Sequence, residues 1–135
     1  MRNQYQTGIV ELTIPADQSM LLVVRLTTAG VLARSAIGVD KLDDAKMAVE
    51  EACSCLMDQL SATGRIYLSF SRGRHHLTVS ARSADRCPEM EDEQTADPQE
   101  LDVVKCLLET LVDEVDLNVC GKWIREIRMR LALAD

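Results

Sequence analysis

The chain has 135 residues, 47% hydrophobic, 27% charged and 3% aromatic, with 15 Lys and Arg against 22 Asp and Glu. That length closes one core without staples, and the net charge of −7 argues against a dedicated nucleic-acid binder or a protein adhering to anionic membranes. No apolar run approaches the ~20 residues of a membrane span, and the opening MRNQYQTG lacks the apolar stretch of a signal peptide. The expectation is a soluble cytoplasmic protein of one domain, residues 1–135.

From Gly8 to Ile14, Val10, Leu12 and Ile14 alternate with Glu11 and Thr13, which predicts a half-buried strand stopped by Pro15. Asp17 or Ser19 can cap a first helix, with Leu22, Val23, Leu26, Ala29 and Ala33 on its inner face and Gly38 at its end. A second helix is predicted over Asp40 to Leu60, with Leu42, Ala45, Val49, Ala52, Cys53, Leu56 and Leu60 as its apolar stripe. Asp43 and Asp44 lie where negative charge complements the helix dipole.

Arg65 to Ser71 and His76 to Arg82 read as two alternating strands of an antiparallel hairpin. Ser83 to Asp97 has almost no apolar content and predicts a loop. Asp97 and Pro98 then open a third helix, carried to Asp116 by Leu101, Val104, Lys105, Leu108, Leu111, Val112 and Val115. Leu117 to Cys120 and Trp123 to Leu133 close the chain as a hairpin around Gly121, the last strand having no purely apolar face on strict alternation. The order β-α-α-β-β-loop-α-β-β predicts an α+β sandwich, a layer of helices over a mostly antiparallel sheet.

Five cysteines, an odd number, do not make a disulfide framework, and the pair Cys53-x-Cys55 has no second cluster at zinc spacing. Cys53, Cys106 and Cys120 fall in apolar periodic segments and read as small buried hydrophobes. Met20, Met47, Met57 and Met129 read as core fillers. Arg72, Arg74, His75 and His76 form a basic knot at a turn, most simply a solvated one, and no metal ligand set is expected. The charge is uneven: from Ser83 to Asp116 twelve acids meet two bases, −10 in that stretch, which leaves +3 for the rest.

The stretch D-A-K-M-A-V-E-E-A-C-S-C, Asp44 to Cys55, resembles the N-box helix of the anti-sigma factor and serine kinase branch of the histidine-kinase-like (GHKL, Bergerat-fold) ATPases. That branch shows D-x-K-x-A-V-x-E-A-C-x-N. Val24-Arg25-Leu26 with Ala33-Arg34 is similar to its first helix, and Leu107 to Val115 to its final one, which ends L-x-D-E-V.

The resemblance implies a two-layer sandwich of that type, with Glu51 at the general-base position and Cys55 where the family has the Asn that holds Mg²⁺. It puts Ser83 at the Asp that accepts the adenine amino group and Asp85 at the first glycine of the lid, in a stretch without any glycine from Ser83 to Asp116. A thiol is a poor ligand for a hard cation. Glu89, Glu91, Asp92, Glu93 and Asp97 would oppose a triphosphate where relatives offer bare amides.

The reading implied is therefore an anti-sigma-like regulator that binds a sigma subunit or an antagonist protein, with no cofactor expected. Arg25 and Arg34 are its candidate partner contacts, and a homodimer is compatible with it. The alternatives are an active serine kinase using Mg-ATP to phosphorylate an antagonist, and a module of unrelated role on the same fold.

Overall fold

The computed structural model describes residues 8–33, 35, 37–60, 63–84, 98–121 and 123–133. Among these residues, five strands form one antiparallel sheet in the order β1-β2-β3-β5-β4. They are β1 (Ile9–Pro15), β2 (Arg65–Arg72), β3 (His76–Ser83), β4 (Glu114–Cys120) and β5 (Trp123–Ala132). The described residues also form the helices α1 (Leu21–Leu32), α2 (Val39–Gln59) and α3 (Pro98–Glu109), which accompany the sheet. The expected α+β architecture is the one observed, with every strand pairing antiparallel.

The second helix matches its sequence pattern closely. Ala45, Ala48, Val49, Ala52, Cys53, Leu56 and Met57 are its buried positions. The alanines let it lie close to its neighbours, because a residue without side-chain bulk brings two backbones together. Its stripe packs on Ile66, Leu68 and Phe70 of β2, Leu77, Val79 and Ala81 of β3, and Ile127, Met129 and Leu131 of β5. Gly38 caps the start of α2 in extended conformation rather than ending the first helix.

The first helix turns a different face inward from the one its sequence suggested. It follows a 3₁₀ turn, Gln18–Met20, in which the Asp17 carboxylate accepts from the Ser19 amide at 3.0 Å. Val24, Thr28 and Leu32 are its buried residues, whereas Leu22 and Leu26 are 55% and 62% exposed. The buried Thr28 hydroxyl donates to the Val24 carbonyl at 2.8 Å, so its burial leaves no orphaned polar group.

The third helix ends at Glu109, and Glu114 already begins β4, so the predicted helix to Asp116 runs several residues too far. Val115 belongs to the buried face of a strand. In β5 the register against β4 shifts between Asn118 and Val119: Asn118 pairs with Glu126, but Val119 pairs with Ile124. Arg125 is the extra residue, a β-bulge that changes the phase of the alternation. Ile124 and Ile127 can therefore both be buried, and the strand that strict alternation left without an apolar face acquires one.

Smaller expectations are also corrected. Val10 is 45% exposed on the edge strand β1, and Met47 is 54% exposed on α2. Cys106 and Cys120 are exposed thiols, and among the described residues only Cys53 is a buried one. The acidic segment 85–97, with Asp85 and the Asp97 cap, lies outside the described residues, as does Arg34.

Candidate functional site

The C-terminal half of α2 carries the residues singled out by its motif. Glu51 is exposed, and Cys55, one turn later, is half-buried. The Cys55 thiol is pushed up to about 11, chiefly by burial and then by the charges of Asp58, Glu51 and Glu100. Asp58 and Glu51 flank Cys55 on α2, whereas Glu100 belongs to the first turn of α3. Cys55 thus looks across to the start of the third helix, and negative charge surrounds it on both. Near neutral pH it is a neutral thiol, without the thiolate character that metal binding requires.

Ser83 closes β3 and is buried, at 6% exposure. It follows the last β3–β5 pair, Arg82 with Glu126, at the end of the sheet where Ile124 begins the apolar run of β5. Gln59 on α2 reaches that same end. Its side-chain NH₂ donates to the Ile124 carbonyl at 2.7 Å, and its oxygen accepts the Ile124 amide at 3.1 Å. Since Gln59 lies one turn beyond Cys55, Cys55 and Ser83 occupy the same end of the molecule. The Ser83 side chain is a hydroxyl, without the fixed negative charge of a carboxylate.

Among the described residues, no group of three or more His, Cys, Asp or Glu is placed to hold a metal ion. His75 and His76 sit at the β2–β3 turn, where the Gly73 amide donates to the His76 carbonyl at 2.7 Å and the Leu133 amide to that of His75 at 2.7 Å. Their backbones fasten the hairpin to the end of the chain.

Arg25 is engaged. Its guanidinium forks onto Glu50 of α2, Nε to Oε2 at 2.7 Å and Nη2 to Oε1 at 2.9 Å. This bidentate geometry is the strong form of such a pair, although Arg25 stays 48% exposed. Leu22, Arg25 and Leu26 fall on one face of α1 at helical spacing. Sequence reasoning singled out Arg25 as a partner contact, and it foresaw neither its pairing with Glu50 nor the exposure of Leu22 and Leu26.

Element order, the layer of helices over the antiparallel sheet and the α2 motif agree with the resemblance to the anti-sigma factor and serine-protein kinase branch of the histidine-kinase-like fold. The chain is similar to serine-protein kinase RsbW of Halalkalibacterium halodurans, 37% identical over 67 residues, which cover 49% of this chain and 41% of that one. It is 40% identical to RsbW of Bacillus thuringiensis over 72 residues, covering 52% of this chain and 45% of that one. The matched stretch thus spans less than half the length of these relatives.

In structure the chain is similar to the RsbU and RsbW domains of a Mycobacterium tuberculosis protein, with a TM-score of 0.62 and 13% identity over 96% of this chain and 33% of that one. That likeness is one of fold. No family model matches the sequence. Over about half of its length the chain is thus similar in sequence to the RsbW kinases, and over nearly all of it similar in fold to an RsbW domain structure.

Proposed function

We propose that this protein is an anti-sigma-factor-like regulator that holds a protein partner and has lost ATP binding. The observation that carries the reading is Cys55. A neutral, half-buried thiol among Glu51, Asp58 and Glu100 stands where relatives need an oxygen donor for magnesium. These residues do not fit Mg-ATP: the thiol supplies no hard donor, and the carboxylates repel a triphosphate by about 1 kcal/mol per close pair even in water-like dielectric. Ser83, in place of the adenine-binding Asp, offers no carboxylate, and no glycine occurs between Gly73 and Gly121 to let a lid turn closely over phosphates.

The partner surface in this reading is the outer face of α1. Leu22 and Leu26 are mostly exposed there, beside an Arg25 already neutralised by Glu50. Fully burying a leucine contributes roughly 1.5–3 kcal/mol, so two can anchor a regulatory complex. The partner is a sigma subunit or an antagonist-like small domain. Retention of Glu51 and the likeness to relatives named serine-protein kinases favour the active kinase instead.

The two readings separate in one assay. The nucleotide-free protein is expected to bind such a partner, to lose affinity when Leu22 and Leu26 are changed to Ser, and to transfer no labelled phosphate from ATP to an antagonist domain. Introducing Cys55→Asn with Ser83→Asp is expected to raise ATP affinity. Phosphate transfer by the unaltered protein would establish the kinase reading.

A further inference from the structure

The third helix is apolar on two faces. Leu101, Val104 and Leu108 pack against the core. On the far side Val103, Cys106, Leu107 and Thr110 recur at i, i+3, i+4 and i+7, and with Asp102 they line one shallow hollow. Val103 is 66% exposed and Leu107 42%, and Cys106 is exposed as well. A stripe at this spacing on a surface helix is what another helix packs against.

Charge selects the occupant. On helical spacing, Asp102 and Glu109 border the stripe on one side and Glu100 on the side toward α2. Lys105 is the only base on α3, and it falls outside the stripe. A second copy of the chain would bring the same carboxylates against their equivalents across a two-fold axis. The segment 85–97 holds six acids and one base and would meet like charge there.

We infer that the outer face of α3 is a docking surface for a basic amphipathic helix of a partner protein, its apolar side on Val103, Cys106 and Leu107 and its cations on Asp102, Glu109 and Glu100. Such a contact joins apolar burial to charge complementarity, which sets orientation and encounter rate. It lies on a different helix from the α1 surface proposed above and shares only Glu100 with the surroundings of Cys55.

The test uses the intact protein and two synthetic peptides of the same Leu and Lys composition, one amphipathic as a helix and one scrambled, with a Leu and Glu amphipathic peptide as the charge control. Binding is followed by calorimetry and located by amide resonance shifts. The expected result is that the amphipathic basic peptide alone binds and moves the amides of residues 102–110. Its affinity should fall at least about tenfold in Val103→Ser with Leu107→Ser. Charge reversal, Asp102→Lys with Glu109→Lys, should weaken binding as well and serves if the serine variant does not fold.

Several results would overturn the proposal: equal binding by the scrambled or acidic peptide, shifts mapping elsewhere, or no loss in either variant. Concentration-dependent shifts of α3 in the protein alone would also do so, by showing that a second copy covers the face.

Discussion

Cys53 and Cys55 are two residues apart on α2 and live in different surroundings. Cys53 is wholly buried, and burial followed by the charge of Glu50 pushes its thiol up to about 12. Cys55 rises to about 11 while still half-exposed, with three carboxylates facing it. The unfolded chain loses both protons near the ordinary value of 9.0, so folding keeps protons that the unfolded state releases. The stabilisation is therefore complete below pH 9 and declines as pH rises toward 11 and 12. For Cys53 the decline is at most about 1.4 kcal/mol per pH unit, so the stability gap between wild type and Cys53→Ala in urea unfolding should shrink between pH 9 and 11. A gap that stays constant over that interval would contradict this assignment. At pH 8 an alkylating reagent should label the exposed Cys106 and Cys120 well before Cys55, because only the thiolate reacts.

Among the elements, α2 was the most legible in sequence and α1 the least. The second helix has one apolar stripe interrupted by Asp43, Asp44, Lys46, Glu50, Glu51 and Asp58, so its inner face is unambiguous. The first helix carries a single charge, Arg25, and two interleaved stripes four residues apart. Periodicity cannot choose between them; packing against α2 does, and it leaves Leu22 and Leu26 outside. The end of α3 was misplaced because Leu111, Val112 and Val115 continue a helical spacing that the turn and β4 interrupt. The bulge at Arg125 has no local signal beyond the mixed faces of β5. It is held by Gln59, whose amide takes both backbone groups of Ile124. Removing those bonds in Gln59→Ala should cost about 1–3 kcal/mol in urea unfolding, since a part-buried N–H and C=O lose their partner. An unchanged midpoint would show that other groups hold the bulge.

For the molecule as a whole, the scaffold follows the resemblance, whereas Cys55 and Ser83 differ from the residues that the resemblance assigns to nucleotide contact. Glu51, Cys55 and Ser83 were readable from the sequence because each stands at a fixed place in a motif. Asp58, three residues after Cys55, could have been found by helical spacing. Glu100 could not, since it reaches Cys55 only through the packing of α3 beside α2. Of the acids that first distinguished the chain, Glu100 lies beside Cys55 together with Glu51 and Asp58 of α2, and the proposal is that no nucleotide is held there. A calorimetric titration of the nucleotide-free protein with Mg-ATP is the most direct test: no saturable heat is expected at millimolar ATP, and micromolar binding would overturn the loss of the nucleotide site.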